Sequence, residues 1–540
     1  MHGLEFQSEI PVYPEPQGEI SRSARNDTVK SLLRASSTGA WNDTGAKRFS
    51  ATGSRREFGQ HVEAVLNQAA EQIKFGTDGW RGIIGDTFIF ENVRRVAAAI
   101  ARYVRHQGRP ENGLAIGYDT RFLSVEAARE AARQVAAEGI PVLLADGATP
   151  TPAVSYAVAA RKTAGALMVT ASHNPYIWNG IKFKAPYGGS ASPEIMKQVE
   201  TYLPAHDPGK DQSSKNGAAQ IETADLTGPY LDRLKTLVSL DRIRSSGRKF
   251  VIDPMYGAAR GCLARLFDEA HIPFSEIHGE HNPLFPGINP EPIDPHLADL
   301  SKAVRATRSD AGFATDGDAD RIGAVDAAGN TVDSHKIFSI LLRHLVADLG
   351  RKGEVVKTVS TTRMIDKIAA KYGLPLHVTP IGFKYICELM LTRDILIGGE
   401  ESGGIAIGGH LPERDGILNS LYLADIIAQR GKELGELIRE LEEEFGPHYY
   451  RRLDLEIDRA DAQRVVDQVR EGKLNSIAGF KVLSLDGRDG VKMVLGDSMW
   501  VLVRTSGTEN ILRLYAEAPS REQVTALLNA MADFARRPSQ

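Results

Sequence analysis

Three short apolar runs follow one another in the first third of the chain: GLAIGYD (Gly113–Asp119), PVLLADG (Pro141–Gly147) and AGALMVTAS (Ala164–Ser172). Helical patterns separate them, and the first is an Ala-, Arg- and Glu-rich segment that begins near Ser124. Apolar runs between amphipathic helices are typical of parallel strands that are buried on both faces of a sheet. This stretch therefore predicts an α/β unit.

The same alternation restarts twice, at KFVIDPM (Lys249–Met255) and near Ile337. After about Tyr449 the order changes to several strands and a final amphipathic helix, which is typical of an α+β domain with an antiparallel sheet. The predicted fold class is α/β. It comprises three consecutive α/β domains with mixed, mainly parallel sheets and a smaller C-terminal α+β domain.

The composition changes near residue 70. Before it, the chain is polar and lacks a sustained apolar period, so it buries too little apolar surface to offset the entropy lost on ordering. We predict a flexible N-terminal extension at 1–70. Four domains are predicted to follow it, at 71–225, 226–336, 337–447 and 448–540.

Charge and cysteine content exclude several classes of protein. The formal net charge of −4 lacks the basic excess of a nucleic-acid-binding protein. Cys262 and Cys387 form no Cys-x-x-Cys pair, which is typical of a reducing cytosol. No apolar run reaches the ~18 residues of a membrane span. We expect a cytoplasmic monomer or weak homodimer with no nucleic-acid or membrane partner, although the extension leaves organelle targeting open.

The third apolar run leads into the first segment that carries chemistry, VTASHNPYIWNGIKF (Val169–Phe183). Pro175 disfavours helix at Asn174, so a turn follows the strand. Ser172 would then lie at the carboxyl end of that strand, where α/β sheets place their ligands. A serine there can act as a nucleophile. Taken alone, the motif could equally be a turn in which Ser and Asn satisfy backbone groups.

TDGDADR (Thr315–Arg321) places three aspartates, Asp316, Asp318 and Asp320, in one short loop. Carboxylates this close repel one another unless a cation compensates, and oxygen ligands suit Mg²⁺ or Ca²⁺. A calcium-binding EF-hand loop would need Gly at its sixth position and Glu at its twelfth, but Arg321 and Ala327 stand there. The loop predicts a magnesium site, with a solvated acidic turn as the alternative.

Two further loops contain ligand-binding residue types. GGEESGG (Gly398–Gly404) combines glycines, which allow close backbone approach, with carboxylates and a hydroxyl that can bond to sugar hydroxyls. RTSGTEN (Arg504–Asn510) joins a guanidinium, hydroxyls and free amides in a tight loop, which favours an anion such as phosphate. Either loop could alone be an ordinary turn.

Together and in this order, the four segments resemble the α-D-phosphohexomutase superfamily. The resemblance runs from about Lys74 to the C-terminus and implies four domains around a central cleft, each supplying one loop for phosphoserine, metal, sugar or phosphate. It also includes FGTDGWRG (Phe75–Gly82), GYDTR (117–121), ATPTPA (148–153) and IGFKYI (381–386).

The resemblance implies that Ser172 is phosphorylated in the resting enzyme. Asp316, Asp318 and Asp320 would hold Mg²⁺, with a phosphoserine oxygen on Ser172 completing the metal site. Positive potential near the phosphoserine would come from two arginines that resemble family positions, Arg81 and Arg321.

The resemblance also offers acid–base candidates for the sugar hydroxyl. Lys182 lies in NGIKF at the spacing of the family's candidate lysine, and a lysine base needs a lowered pKa. His410, in GGHLPERDG, resembles a second candidate. His173 we expect to orient the turn rather than to carry protons.

Substrate contacts are implied in two places. Glu400 and Ser402 match the family's sugar-contacting positions. The grip on the non-transferring phosphate is implied for Arg504, Ser506, Gly507 and Thr508, with Lys384 and Arg513 assisting.

The Glu-Glu-Ser sugar loop is most like that of glucose-type members. Phosphoglucosamine mutases resemble this chain in the Ser-His-Asn-Pro turn, but they usually have Gln and His where Glu401 and Gly404 stand here. The implied reaction interconverts glucose 1-phosphate and glucose 6-phosphate, with glucose 1,6-bisphosphate as activator and intermediate. The alternatives are a phosphomannomutase or dual-specificity enzyme, a phosphoglucosamine mutase and a hexose 1,6-bisphosphate synthase. A non-catalytic sensor or plain metallophosphatase accounts less well for the full set of loops.

Overall fold

The computed structural model describes residues 73–76, 79–211, 219–506 and 510–537. The predicted extension at 1–70 lies outside the described residues. Everything described belongs to one compact unit of the chain, Asn67–Gln540. Among the helices in these ranges, none is long and apolar enough to cross a membrane.

The first sheet has the strand order β1-β5-β4-β2-β3-β6. The strands β4, β2, β3 and β6 are parallel to one another, whereas β5 is antiparallel to both of its neighbours, β4 and β1. Its strands are β1 (Trp80–Ile83), β2 (Leu114–Tyr118), β3 (Val142–Ala145), β4 (Ala166–Val169), β5 (Trp178–Lys184) and β6 (Ile221–Ala224). The helices are α1 (Phe90–Gln107), α2 (Ser124–Ala137), α3 (Thr151–Arg161) and α4 (Pro193–Thr201), with 3₁₀ turns at Pro110–Asn112 and Pro208–Asp211.

The second sheet has the order β11-β10-β9-β7-β8, with β9, β7 and β8 parallel and β10 and β11 antiparallel. Its strands are β7 (Phe250–Asp253), β8 (Phe274–Glu276), β9 (Ala311–Thr315), β10 (Ile322–Asp326) and β11 (Thr331–Val332). The helices in this part of the chain are α5 (Thr227–Lys235), α6 (Leu240–Ser245), α7 (Cys262–Glu269) and α8 (Ala298–Thr307).

The third sheet has the order β13-β12-β14-β15, and its last strand is antiparallel. One apolar core joins it to the second sheet, since Phe313 of that sheet and Ile417 and Leu421 of this unit belong to the same buried cluster. Its strands are β12 (Glu354–Thr358), β13 (Leu376–Thr379), β14 (Ile395–Gly399) and β15 (Ile405–Ile407). The helices are α9 (Ser334–Arg343), α10 (Met364–Lys371), α11 (Phe383–Thr392), α12 (Gly416–Arg430) and α13 (Leu434–Phe445), with a π-helical turn at His344–Asp348.

The C-terminal sheet is antiparallel throughout, in the order β16-β22-β21-β20-β19. Because side chains alternate along a strand, one face packs on the helices of this unit, and Trp500, Leu502 and Tyr515 on the other face pack against Val359 of the third unit. The elements are β16 (Tyr449–Glu456), α14 (Arg459–Arg470), β17 (Ser476–Ile477), β18 (Phe480–Lys481), β19 (Ser484–Asp486), β20 (Val491–Gly496), β21 (Met499–Thr505), β22 (Ile511–Ala518) and α15 (Arg521–Arg536).

All four loops that the sequence singled out occupy the same kind of position. Each connects a strand to the antiparallel strand beside it: β4 to β5, β9 to β10, β14 to β15, and β21 to β22. The predicted fold class, with three mixed α/β units and a smaller α+β unit, is confirmed. Each of the four loops therefore follows the carboxyl end of a strand, and in α/β sheets this is the end where ligands bind.

Candidate active site

Ser172 follows β4 in a backbone conformation that is rare for a residue with a side chain, with φ of 54°. Its N–H donates to Thr170 Oγ1 at 2.8 Å, and its carbonyl oxygen accepts from the Arg121 guanidinium. The Ser172 hydroxyl donates to Asp316 Oδ2 at 2.8 Å. These bonds hold the strained backbone and direct the hydroxyl at the aspartate loop.

Arg121 is a site residue that the sequence did not single out. Its guanidinium donates to four carbonyl oxygens of the turn between Ser172 and Trp178. Asp119 lies 3.2 Å from its Nε, and both side chains are fully buried. One arginine therefore organises the whole Ser-His-Asn-Pro turn. The signal was the GYDTR segment, which gave a resemblance but no role for this residue.

Asp316, Asp318 and Asp320 are fully buried, and one carboxylate oxygen of each lies within 4.8 Å of the others. Burial, followed by repulsion from Asp320 and Asp318, raises the pKa of Asp316 well above its ordinary value. Asp318 Oδ1 and Asp320 Oδ1 have no hydrogen-bond partner among the described residues. Buried oxygens in this arrangement fit a hard divalent cation such as Mg²⁺.

Lys182 and Arg414 each contact this cluster at 2.7 Å. Lys182 Nζ donates to Asp318 Oδ2 at 2.7 Å and to Asp320 Oδ2 at 2.9 Å. Burial raises the pKa of Asp318, but the charge and hydrogen bond of Lys182 outweigh it, so the net pKa is lowered. Arg414, which the sequence did not predict, lies 2.7 Å from Asp320 Oδ2 and 3.6 Å from Glu400 Oε2. Arg414 thus joins the metal loop to the sugar loop.

The serine and aspartate loops touch directly at Gly317. A Cβ atom at this position would lie 2.4 Å from the carbonyl oxygen of Ser172, so only glycine permits the observed approach. On the other side of the loop, the Thr151 N–H donates to the carbonyl oxygen of Asp318 at 2.8 Å. The ATPTPA segment therefore contributes a wall of the site.

Three predicted residues surround Ser172. Arg81 Nη1 donates to Asn174 Oδ1 at 2.7 Å, and Arg321 Nε lies 3.9 Å from Asp316 Oδ2. His173 Nδ1 is 3.4 Å from the Ser172 hydroxyl. Burial, then the positive charges of Arg321 and Arg81, lowers the pKa of His173 well below its ordinary value. The imidazole is therefore neutral at neutral pH, which suits a group that orients the turn.

The sugar loop holds Glu400 in a buried position. Its carboxylate accepts from the Gly382 N–H at 3.1 Å, and burial raises its pKa. Ser402 lies in the same loop and is partly exposed. The loop rests on β10, because the Ile322 N–H donates to the carbonyl oxygen of Gly403 at 3.1 Å.

Lys384 lies in the first turn of α11, two residues beyond the glycine that binds Glu400. Its ammonium is 5.3 Å from the centre of the Tyr385 ring. Lys384 therefore lies close to the sugar loop, and its predicted part in the phosphate grip stays a prediction.

Two arginines lie side by side at the base of the predicted phosphate loop, one on each strand of the hairpin. Arg504 and Arg513 are cross-strand partners in the β21–β22 register, so their side chains project from the same face. Arg504 Nε donates to Asp489 Oδ1 at 2.8 Å. Ser506 is buried, and its N–H closes the hairpin by donating a hydrogen bond to the Ile511 carbonyl oxygen at 3.0 Å. The predicted contacts Gly507 and Thr508 lie outside the described residues.

His410, the second acid–base candidate, is paired with a carboxylate beside the metal loop. Its Nε2 lies 3.1 Å from Asp415 Oδ2, and its ring is 6.3 Å from that of Tyr230. Asp415 also accepts from the Tyr230 hydroxyl at 2.7 Å and caps α12. These contacts hold the imidazole in one orientation, and its part in proton transfer stays a prediction.

Four family models match the chain in order. They are described as phosphoglucomutase/phosphomannomutase alpha/beta/alpha domains I, II and III and the C-terminal domain, and they match residues 72–209, 228–329, 333–445 and 456–534. Each matched range contains one of the four loops described above. The models and the loops therefore support the same division of the chain.

Relatives of this family match nearly their full length. A phosphoglucomutase/phosphomannomutase from Thermococcus kodakarensis is 31% identical over 84% of this chain and 96% of its own. A phosphoglucosamine mutase from Limosilactobacillus fermentum is 33% identical over 86% and 97%. A crystal structure of a provisionally named phosphomannomutase from Thermus thermophilus superimposes with a TM-score of 0.76 at 35% identity, covering 86% of this chain and 99% of that one.

The chain belongs to the phosphoglucomutase/phosphomannomutase family of the α-D-phosphohexomutase superfamily. It is accordingly a phosphohexomutase, an enzyme of the isomerase class that acts in carbohydrate metabolism. The relatives carry different substrate names, so the family alone leaves the hexose open.

Proposed function

We propose that this chain is a phosphoglucomutase, which interconverts glucose 1-phosphate and glucose 6-phosphate through a phosphoserine at Ser172 and a glucose 1,6-bisphosphate intermediate. The observation that carries the proposal is the 2.8 Å hydrogen bond from the Ser172 hydroxyl to Asp316, within a buried cluster of three aspartates. This arrangement places a nucleophile oxygen against a group of cation ligands.

In the first transfer, a hydroxyl of the hexose phosphate attacks the phosphorus on Ser172. A new P–O bond forms to the sugar, and the bond to the Ser172 oxygen breaks. Mg²⁺ held by Asp316, Asp318 and Asp320 would neutralise charge on the transferring group. Lys182, whose ammonium contacts two of these carboxylates, is our candidate for relaying the proton. Its ammonium would give a proton to the released Ser172 oxygen and take up the proton of the sugar hydroxyl.

The two arginines near the serine have a different task. Arg81 fixes Asn174 in the turn, and Arg321 lies within 4.0 Å of carboxylates on Asp316 and Asp320. Both add positive potential where the phosphoryl group carries charge. Neutral His173 adds no charge and, by its contact with Ser172, limits the rotation of the hydroxyl.

The remaining loops hold the part of the substrate that does not react. Glu400 and Ser402 would accept and donate to the sugar hydroxyls, while the arginine pair Arg504 and Arg513 would grip the second phosphate. Ser506, Gly507, Thr508 and Lys384 complete the proposed grip. After the first transfer, the bisphosphorylated hexose turns over, so the same loops bind it in both orientations.

A feature of the sugar loop supports glucose over glucosamine. A Cβ atom at Gly404 would lie 2.3 Å from Cδ of Arg414, so this position leaves the room that Arg414 needs to reach Glu400. A histidine at this place, as in the phosphoglucosamine mutases, would displace Arg414. The Glu-Glu-Ser sequence of the loop favours the same assignment.

Product analysis by ³¹P NMR tests the proposal. The protein is mixed with Mg²⁺, glucose 1-phosphate and a trace of glucose 1,6-bisphosphate, beside Ser172→Ala and the control Ser155→Ala. Ser155 is also fully buried, on α3, but its hydroxyl has no hydrogen-bond partner among the described residues. We expect glucose 6-phosphate from the wild type and the control, and none from Ser172→Ala.

Parallel reactions separate the alternatives. Conversion of mannose or glucosamine 1-phosphate without conversion of the glucose ester would reject the glucose assignment. Net accumulation of hexose 1,6-bisphosphate from a phosphorylated donor would identify a synthase instead. Equal conversion by wild type and Ser172→Ala would reject the phosphoserine.

A further inference from the structure

Adjacent glutamates of the sugar loop point in different directions. Glu400 contacts Gly382 and Arg414, within the site. The carboxylate of Glu401 instead accepts from the Tyr450 hydroxyl, with the two oxygens 2.7 Å apart. Tyr450 lies on β16, in the C-terminal sheet. One residue of the sugar loop is therefore bonded to the unit that carries the phosphate loop.

The backbone of Glu401 is fixed to the third unit at the same time. Its carbonyl oxygen accepts a short hydrogen bond from the hydroxyl of Ser334, the first residue of α9. The Glu401 side chain then crosses to the C-terminal unit, where Arg452 Nη1 also lies 3.9 Å from the carboxylate. Glu401 thus makes polar contacts with both units at the point where Glu400 and Ser402 meet the substrate.

Tyr450 is held on both sides of its ring. The His335 ring lies 4.2 Å away, centre to centre, and the Trp500 ring lies 6.2 Å away. Strand alternation places Tyr450 on the same sheet face as Trp500 and, further along β21, Arg504. Tyr450 and the arginines of the phosphate loop therefore project from the same face of one sheet.

We propose that Glu401 and Tyr450 form a clasp, a hydrogen bond that sets the distance between the sugar loop and the phosphate loop and so retains the bisphosphorylated hexose while it turns over. Both residues are positioning residues, because neither contacts the reacting atoms. The inference rests on the proposed mutase function. It adds to that function a contact that determines how often the bisphosphorylated hexose leaves the site before the second transfer.

Escape has a defined chemical consequence. When hexose 1,6-bisphosphate leaves, Ser172 remains without its phosphoryl group, and the enzyme stops. Activity returns when a bisphosphate from solution transfers one phosphoryl group to the Ser172 oxygen. The P–O bond to the sugar breaks, the bond to serine forms, the serine proton passes to the sugar oxygen, and hexose monophosphate leaves. The run length, meaning the turnovers completed per phosphoryl group loaded, therefore measures retention.

The experiment compares the wild type with Tyr450→Phe, Glu401→Gln and the double variant. Tyr449→Phe is the matched control, because the neighbouring residue on β16 packs on the opposite face, in the core of the C-terminal unit. Each phosphorylated protein is given Mg²⁺ and glucose 1-phosphate without added bisphosphate, and the run length is counted. The rate at saturating glucose 1,6-bisphosphate is measured separately.

We expect Tyr450→Phe to shorten the run about tenfold, the size of effect that one hydrogen bond to a charged group supports. The rate at saturating bisphosphate should stay within about twofold of the wild type, because the reacting groups are intact. Glu401→Gln should shorten the run less, since an amide oxygen still accepts the bond. The double variant should be no worse than Tyr450→Phe, because both changes act on the same contact, which Tyr450→Phe alone already removes.

Unchanged run lengths in both single variants would overturn the clasp, as would a loss of rate at saturating bisphosphate with an unchanged run length. Failure of the proposed function has a separate signature, since the wild type would then convert none of the hexose phosphates. In that case amide hydrogen exchange decides: the clasp requires faster exchange across residues 400–404 in Tyr450→Phe than in Tyr449→Phe, and equal exchange rejects it.

Discussion

The serine and metal loops are bonded directly to each other, whereas the sugar loop reaches the C-terminal sheet through the side chain of Glu401. Around Ser172 and the three aspartates, buried side chains bond to one another and to backbone from several segments, with Arg121 alone bonding to four carbonyl oxygens. In the other region, Glu401 accepts from the Tyr450 hydroxyl of the C-terminal sheet, and Arg504 donates to Asp489 within that unit.

This difference corresponds to two demands of the proposed reaction. Phosphoryl transfer draws its catalysis from groups that are fixed before the substrate arrives. The serine and metal loops, which we call the chemical end of the site, must therefore be rigid. The sugar and phosphate loops, which we call the gripping end, must accept the bisphosphorylated hexose in two orientations. These two loops come from different units, so their relative position can adjust. The expected effects of substitutions follow this division.

The largest effect is expected at the metal loop. Asp318→Asn removes a buried ligand charge, so we expect kcat to fall about 10³-fold and half-activation to need more Mg²⁺. Chelation of Mg²⁺ should abolish activity in the wild type, and Mg²⁺ should restore it. Titration calorimetry with Mg²⁺ alone gives a second readout. The exposed Asp299 on α8 provides the control Asp299→Asn, and equal effects of the two variants would contradict the assignment.

The next effect tests how closely the serine and metal loops must approach. Gly317→Ala would place a Cβ atom 2.4 Å from the Ser172 carbonyl oxygen, so the loops must separate. We expect kcat to fall about 10²-fold with little change in KM, because a displacement near 1 Å is costly for positioned groups. Gly147→Ala is the control, since a Cβ atom there meets no atom within 4 Å. A wild-type kcat in Gly317→Ala would show that the chemical end is not rigid.

A smaller and different effect is expected at the phosphate loop. Arg504→Gln removes a charged donor from the grip, so KM for glucose 1-phosphate should rise about 30-fold, while kcat falls far less. Steady-state kinetics measure both constants. The control is Arg488→Gln, in the same unit, which replaces an exposed arginine that bonds to the Val378 carbonyl. If Arg504→Gln lowers kcat as much as Asp318→Asn does, the division between the two ends is wrong.

The smallest effect on activity is expected where the C-terminal sheet packs on the third unit. Burial raises the pKa of Glu517, but the hydrogen bond and charge of His448 outweigh it and bring the pKa to about 2. The folded pKa is below the ordinary value, so this carboxylate stabilises the fold above pH of about 4.5. That stabilisation is lost as the pH falls towards 2.

Glu517→Gln should therefore lower the free energy of unfolding at pH 7 by roughly 2 kcal/mol and leave kcat nearly unchanged. The Trp500 indole and the Arg363 N–H, which both donate to Glu517 Oε1 at 3.0 Å, keep an acceptor in this variant. Thermal unfolding between pH 3 and pH 7 checks the result, with the exposed Glu456→Gln as control. A stability difference that grows as the pH falls would contradict the account.

The local motifs were readable because each is contiguous in sequence. A strand, a Ser-His-Asn-Pro turn and a returning strand lie within Val169–Phe183, and the three aspartates share one loop. Strand alternation and turn chemistry predict such elements without knowledge of the rest of the chain. The three mixed α/β units and the antiparallel C-terminal sheet followed from the same reasoning.

The contacts that join one unit to another could not be predicted from the sequence. Arg414 contacts Asp320, Asp489 contacts Arg504 and the Ile381 N–H, and Tyr450 contacts Glu401. No spacing rule predicts a pair formed when two separately folded units meet. His410 was predicted from its closeness in sequence to the sugar loop, but its partners Tyr230 and Asp415 come from other positions that no spacing rule connects.

The phosphorylation state of Ser172 tests the central claim most directly. The protein is incubated with Mg²⁺ and glucose 1,6-bisphosphate, freed of small molecules and digested, and the peptide spanning 169–183 is analysed by mass spectrometry before and after glucose 1-phosphate is added. The account predicts one phosphoryl group on Ser172 that passes to the sugar on addition of glucose 1-phosphate. A phosphoryl group on another residue, or an unmodified Ser172 in a protein that still converts the substrate, would contradict it.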